Sequence, residues 1–231
     1  MKYTIFAILA LSILFLIIIS FFKSSEYMTN PDELGIFIYT YKPFKFTYID
    51  TRPRILILCA HPDDESIFDS RDMLHNNCTV ICLTTPIIEK RRDEFIKVLQ
   101  ITGQTGHILN FPDSIDFKDK DDLNELWFNL TDKEIYEQYI FNIIKNERYD
   151  MIVSHDRYGE YGHPQHKRLN ELSLYIASVL KIPFNDFKSR YLDETPEERQ
   201  KANEIRDIYK SQIVVVRGTK KNLFMHKRCK N

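Results

Sequence analysis

The sequence predicts an α/β fold in which a mostly parallel sheet carries helices on both faces. Two observations support this prediction: apolar runs of strand length recur along the chain, and segments with helical periodicity separate them. Runs that are apolar at every position are typical of strands buried on both faces. Because such strands alternate with helices, βαβ units are expected. The expected architecture is a Rossmann-like three-layer α/β/α sandwich.

The elements follow in order from this pattern. Buried strands are predicted at 55–60, 79–84, 107–111 and 150–154, with a late strand at 213–216. Helices are predicted at 64–75, 89–101, 133–146, 166–180 and 202–211, and a long loop at 183–201. Gly103 stands just past the end of the second helix, where glycine is a stop signal.

An uncharged apolar run, Tyr3–Phe22, precedes the predicted domain. It contains no Pro or Gly and is long enough to cross a bilayer as a helix. The alternative is a cleaved signal peptide, but the run is longer than the apolar region of such peptides and no A-x-A cleavage site follows. We therefore expect a transmembrane anchor at 1–22, a connector at 23–50 and a single domain at 51–231, in a single-pass membrane protein.

Composition excludes some classes of partner and site. Lys and Arg number 32 against 33 Asp and Glu. Nucleic-acid binding proteins normally carry a basic excess, so no nucleic-acid partner is expected. The four cysteines match no zinc-finger spacing, and a disulfide framework is not expected. The basic tail from Lys220 is interpreted as solvated rather than as a lipid contact.

A first polar cluster follows the first buried strand directly. Of the five residues His61–Glu65, all but Pro62 are ionisable, which is costly at a strand end unless water or a metal receives them. His61 and Asp64 are three apart, so a single turn can aim both side chains at one point. Imidazole and carboxylate are ordinary zinc ligands. The alternative interpretation is a turn in which the aspartates cap a helix.

A second polar cluster follows the fourth strand, in the segment 154–166. His163 and His166 are again three apart. Ligand sites in such sheets lie at the carboxyl ends of the strands, so the two clusters are expected to meet. Together they supply a three-ligand metal site with an open position for water, the arrangement of catalytic zinc. The spacing does not choose between His163 and His166 as the ligand.

These two motifs, AHPDDE at 60–65 and GHPQH at 162–166, resemble those of the PIG-L/LmbE-like zinc deacetylases. The resemblance covers roughly residues 52–213. The family includes the N-acetylglucosaminyl-phosphatidylinositol deacetylase of glycolipid-anchor synthesis and deacetylases of sugar-containing thiols. The chain departs from it at 66–71, which has no Gly, and at Thr84–Pro86, where members often have a polar turn. Substrate identity is therefore less constrained than reaction type.

The resemblance implies the roles of the site residues. It implies one zinc ion bound by His61, Asp64 and His166, although iron also suits nitrogen and oxygen ligands. It implies Asp63 as general base, with two further residues acting on the intermediate or the carbonyl, namely His163 and Tyr161. Arg91 and Arg157 are candidates to bind substrate phosphate or sugar hydroxyls, although a surface salt bridge is the simpler interpretation of either.

The resemblance and the anchor together predict the substrate and the location. The leading hypothesis is a metal-dependent amidohydrolase that removes the acetyl group from N-acetylglucosaminyl-phosphatidylinositol at the endoplasmic reticulum membrane. A second hypothesis is a deacetylase of another amino-sugar conjugate. A third, from another class, is a non-catalytic glycan-binding protein tethered to the membrane. A nucleotide-binding enzyme is disfavoured because no G-x-G-x-x-G follows the first strand.

Overall fold

The fold is a seven-stranded sheet with helices packed on both faces. The structure is a computed structural model that describes residues 25–28, 38–43, 50–84, 89–113, 128–187 and 195–212. The strands are β1 (Ser25–Met28), β2 (Ile38–Lys42), β3 (Arg54–Cys59), β4 (Asn77–Thr84), β5 (Thr105–Phe111), β6 (Met151–Ser154) and β7 (Phe184–Asp186).

All the described helices except the last lie between consecutive strands of the sheet. They are α1 (Asp64–His75), α2 (Glu89–Thr102), α3, α4 (Gly159–Gly162), α5 (Pro164–Leu180) and α6 (Pro196–Arg206), followed by a 3₁₀ turn at Lys210–Gln212. Helix α3 consists of Asp132–Ile135, a π-helical turn at Tyr136–Ile140, and Phe141–Ile144.

The strand order is β1-β2-β5-β4-β3-β6-β7. Five strands from β5 to β7 run parallel, whereas β1 and β2 pair antiparallel at the β5 side. The prediction of a mostly parallel α/β sheet is therefore confirmed. Strand β3 lies between β4 and β6, so the ends of β3 and β6 are direct neighbours and bring the loops that follow them together.

The core has two halves, one on each face of the sheet, because side chains of a strand alternate between faces. In β3, Ile55 and Ile57 face the helices α1, α2 and α6, whereas Leu56 and Leu58 face α3 and α5. All four side chains are at most 1% exposed. Burial of the central strands on both faces explains why their sequences are apolar at every position.

Several boundaries differ from the predictions. Strands β1 and β2 lie within 23–50, so the expectation that this segment only connects is revised for these residues. Strand β7 and the start of α6 fall inside the predicted loop 183–201. The predicted strand 213–216 lies outside the described residues.

The expected anchor Tyr3–Phe22 also lies outside the described residues. Of the helices that the structure does describe, none has the length and apolar character needed to cross a bilayer. Cys59, Cys78 and Cys82 are buried cysteines that form no disulfide among the described residues, and Cys229 lies outside the described ranges.

Candidate functional site

The two polar clusters meet at the carboxyl ends of β3 and β6. After β3 the chain makes a tight turn in which the amide of Asp64 donates to the carbonyl of His61 at 3.2 Å, and α1 begins. The Asp64 carboxylate folds back and accepts from the His61 amide at 2.8 Å. After β6, α5 begins at Pro164 with His163 as its N-cap. His166 therefore lies in the first turn of α5 and points back towards β3.

Three nitrogen and oxygen atoms form a small triangle at this junction. His61 Nδ1 lies 3.3 Å from Asp64 Oδ2 and 3.2 Å from His166 Nε2, and the last two atoms are 3.5 Å apart. These are the three residues that the family resemblance implies as metal ligands. All three are at most 4% exposed.

The triangle fits a zinc ion. Ligand atoms about 2.0–2.1 Å from zinc in a tetrahedron are about 3.3–3.4 Å apart, close to the three separations observed here. Two imidazoles and one carboxylate leave a fourth position free, as in catalytic zinc sites. The same donor atoms also suit iron.

Two carboxylates contact the histidines of the triangle, each at the ring nitrogen that is not part of the triangle. His61 Nε2 faces Asp113 Oδ1 at 3.2 Å and Gln165 Oε1 at 2.8 Å. His166 Nδ1 faces Glu160 Oε2 at 2.6 Å. Carboxylates in this position fix the tautomer and the ring orientation of a metal-binding histidine. Neither Asp113 nor Glu160 is among the predicted site residues.

The carboxylates of the cluster favour a positive charge beside them. Burial disfavours an imidazolium, yet hydrogen bonds to Asp113 and Asp64 raise the pKa of His61 to about 10. Without a cation, His61 is therefore held protonated by its acidic neighbours. A divalent ion would supply the same charge, so the electrostatics of the cluster suit a metal as its geometry does.

Asp63 is buried beside the triangle and paired with an arginine. Its Oδ1 accepts from Arg91 Nη2 at 2.6 Å, and Arg91 Nε donates to the carbonyl of Pro62 at 2.7 Å. Burial raises the pKa of Asp63 to about 6, although Arg91 opposes this shift. The backbone of Asp63 has φ 148°, a value that side chains disfavour and that is often found at functional sites.

His163 and Tyr161 line the same cluster. The His163 ring stacks on that of His166 with centroids 4.4 Å apart, and its Nδ1 accepts from the Gln165 amide at 3.2 Å. Burial lowers the pKa of His163 to about 3, so the ring is neutral and carries its proton on Nε2. Tyr161 packs edge-on against His163 and His166, with ring centroids 5.8 and 5.5 Å away, and is 62% exposed.

The two arginines differ in position. Arg91 points at acceptors of the protein itself, Pro62, Asp63 and Asp113, which makes it a support for Asp63. Arg157 lies at the exposed surface with its guanidinium over the Tyr158 ring at 4.6 Å. Of the two candidates for substrate binding, the structure thus places only Arg91 in contact with the cluster.

His155 is a further residue of the cluster that the prediction omitted. It follows β6 directly, and its Nε2 lies 3.4 Å from Asp64 Oδ2 while accepting from the Ala60 amide at 3.1 Å. Its position at the end of a buried strand was the available signal. Two other described histidines lie outside the cluster: His107 bonds Thr40 at 3.0 Å, and His75 pairs with Glu198 at 3.2 Å.

The chain is similar in sequence to known proteins. Residues 56–177, more than half of the chain, match the PIG-L family model, described as GlcNAc-PI de-N-acetylase. "Uncharacterized protein L374" of Acanthamoeba polyphaga mimivirus is 32% identical over 134 residues, 51% of this chain and 55% of the relative. No solved structure gives a significant match.

Two further relatives carry functional names. The 1D-myo-inositol 2-acetamido-2-deoxy-alpha-D-glucopyranoside deacetylase of Kineococcus radiotolerans is 25% identical over 162 residues, 54% of this chain and 45% of the relative. The probable N-acetylglucosaminyl-phosphatidylinositol de-N-acetylase of Dictyostelium discoideum is 27% identical over 124 residues, 50% and 46%. The chain spans about half the length of these curated relatives. Because the family match covers most of the sheet and both polar clusters, the chain belongs to the PIG-L (GlcNAc-PI de-N-acetylase) family.

Proposed function

We propose that the protein is a metal-dependent hydrolase that removes the N-acetyl group from an N-acetylglucosamine conjugate. The single observation that carries this proposal is the triangle of His61, Asp64 and His166, whose ligand atoms lie 3.2–3.5 Å apart. These residues would hold the ion. A bound zinc ion lowers the pKa of water to about 7 and polarises a carbonyl oxygen.

Asp63 is proposed as the general base. A catalytic base works best when its pKa lies near the working pH, and burial raises the pKa of Asp63 to about 6. At pH 7 the carboxylate is mostly ionised and still basic enough to accept the proton of an attacking water. Arg91 fixes the position of this carboxylate through the 2.6 Å contact to Oδ1.

His163 and Tyr161 are proposed to act on the acyl group. The hydrogen bond from the Gln165 amide occupies Nδ1 of His163, so the proton of the neutral ring lies on Nε2. A neutral imidazole N–H can stabilise the negative charge that develops on the amide oxygen. The hydroxyl of the exposed Tyr161 is proposed to contact the same oxygen or the sugar. The C–N bond breaks as the amine nitrogen takes up the proton that Asp63 accepted from water, and acetate is the other product.

The proposed substrate is N-acetylglucosaminyl-phosphatidylinositol. The name of the Dictyostelium relative supports a lipid-linked substrate. The apolar run Tyr3–Phe22 supports it too, because a membrane anchor would keep the site at the bilayer surface, as expected for the endoplasmic reticulum. A second candidate is a soluble inositol-linked N-acetylglucosamine, which the Kineococcus relative is named for.

The test is acetate release by the full chain, purified in detergent and in membranes. We expect release from the lipid-linked substrate, loss of release with a chelator, and recovery with zinc. In the membrane preparation, the protein should remain in the pellet after alkaline carbonate extraction. Release only from the soluble sugar would support the second candidate, and no release from either substrate after zinc loading would refute the proposed function.

A further inference from the structure

One carboxylate contacts two histidines of the cluster. Glu160 Oε2 lies 2.6 Å from His166 Nδ1 and 3.0 Å from His155 Nδ1. Its other oxygen, Oε1, accepts from the amide of Asp156 at 3.0 Å. The Glu160 side chain is 12% exposed. The two rings are stacked face to face with centroids 3.8 Å apart, so one carboxylate contacts both members of a stacked pair.

The chain adopts an unfavourable backbone conformation to place this side chain. Glu160 has φ 56° and ψ −66°, a combination that residues with a Cβ disfavour at a cost of about 1–3 kcal/mol. The preceding residue, Gly159, also has a positive φ of 66°. Asp156 Oδ1 stabilises the turn by accepting from the amides of Tyr158 at 2.7 Å and Glu160 at 3.2 Å.

We infer that Glu160 is a positioning residue that fixes His166 and His155 as Nδ1–H tautomers and so presents His166 Nε2 to the metal. This inference rests on the proposed function. For His155, the Ala60 amide donates to Nε2, which leaves the proton on Nδ1, facing Glu160. For His166, the proton on Nδ1 leaves the Nε2 lone pair directed at Asp64 Oδ2 and His61 Nδ1.

In this arrangement His155 packs against the metal-binding His166 and is not itself a metal ligand. Its Nε2 lone pair is already engaged by the Ala60 amide at 3.1 Å. Phe187 packs edge-on against it at 5.0 Å, and Phe68 packs edge-on against both rings at 6.1 Å. Glu160 therefore orients His166 directly and also through the stacked His155 ring.

The experiment compares zinc affinity in the full chain and three variants. Glu160→Gly removes the carboxylate and relieves the positive φ, whereas Glu160→Gln keeps the shape and one acceptor. Lys181→Gly is the matched control, since Lys181 also has a positive φ of 57°, at the end of α5. Zinc affinity is measured by competition with a chromogenic chelator, and ligand geometry by the visible spectrum of the cobalt-loaded protein.

We expect Glu160→Gly to weaken zinc binding about 10- to 100-fold and to change the cobalt spectrum, since partners of metal-binding histidines have effects of this size. Glu160→Gln should lie between it and the unmodified chain, and Lys181→Gly should match the unmodified chain. A folded Glu160→Gly protein with zinc affinity within about twofold of the unmodified chain would overturn the inference.

A metal-free measurement separates this inference from the proposed function. Nitrogen-15 NMR of the imidazoles in the unmodified chain should show both His155 and His166 protonated at Nδ1. Protonation of neutral His166 at Nε2 would overturn the inference even if the protein is an active deacetylase. Conversely, Nδ1–H tautomers with zinc binding but no acetate release would contradict the proposed function alone.

Discussion

The loop after β3 and the loop after β6 supply the cluster by different means. The first is short: His61 and Asp64 are separated by one turn, and the Asp64 carboxylate bonds back to the His61 amide at 2.8 Å. The second runs through α4 with a positive φ at Gly159, Glu160 and Gly162 before His166 is reached. The compact turn fixes Asp64 through its own backbone but takes the carboxylate that supports His61 from Asp113, after β5, whereas the longer loop contains its supporting carboxylate, Glu160.

The difference teaches where each loop is vulnerable. In the first loop the proposed base, Asp63, and a proposed metal ligand, Asp64, are adjacent residues. A substitution there affects proton transfer or metal binding according to which of the two is changed. In the second loop, orientation comes from Glu160, which contacts His166 at Nδ1 rather than at Nε2, the proposed ligand atom. Changes at Asp63 should therefore affect turnover most, and changes at Glu160 should affect metal affinity most.

The largest expected effect comes from the first loop. Asp63→Asn should reduce kcat about 10²- to 10⁴-fold, because the proposed base is lost. Zinc affinity should stay near that of the unmodified chain, since Asp63 is not among the proposed ligands. Acetate release and chelator competition measure the two effects. The control is Asp93→Asn, an exposed carboxylate on α2, and a kcat within tenfold of the unmodified chain would remove Asp63 from this role.

A histidine outside both loops provides the contrast for stability. His107 is buried on β5, and burial together with the charge of Lys42 lowers its pKa to about 3. Its folded pKa is below the unfolded value of 6.5, so the unfolded chain binds more protons between these values and stability falls as pH falls through that window. We expect a loss of about 2 kcal/mol on going from pH 7 to pH 5.

Denaturant unfolding at several pH values measures this loss. His107→Asn should flatten the dependence of unfolding free energy on pH, whereas the exposed His75→Asn should not. Identical slopes in the unmodified chain and the His107 variant would show that another group is responsible. The loop histidines differ from His107 because carboxylates surround them.

The smallest expected effect comes from removing Arg91, which contacts Asp63 of the first loop. Arg91→Gln should raise the pKa of Asp63 above its value of about 6, because Arg91 lowers it. The acidic limb of the kcat/KM profile should then move to higher pH, with about a fivefold loss at pH 6 for a shift of one unit and little loss at pH 8. Arg92→Gln is the neighbouring control, since Arg92 packs over Tyr39 at 5.6 Å. An unmoved limb would contradict the support role.

Prediction from the sequence succeeded where a signal was local. Apolar runs identified the central strands, and the motifs at their ends led to residues that the structure does bring together. Helix α6 also had a readable start: Thr195 and Glu198 form a capping box around Pro196, and the prediction overlooked it. The alternation of Ile38–Lys42, with Tyr41 buried on one face, was likewise a strand signal that the connector prediction missed.

Other features were not readable because they depend on contacts between distant parts of the chain. The inward position of Glu160 follows from a left-handed backbone that no residue preference favours. Asp113 joins the cluster because β5 ends at the same edge of the sheet, although it is far from His61 in sequence. The π-helical turn in α3 similarly has no sequence signal that we recognise.

The outermost strands of the described sheet are short. At one side of the described sheet lies β1, with four residues, and at the other lies β7, with three. Unpaired amides and carbonyls on an outermost strand are templates for adhesion between chains, and short outermost strands offer few of them. Within the described residues, a sheet whose inner strands are this apolar is thus bounded by two edges that offer few templates for intermolecular pairing.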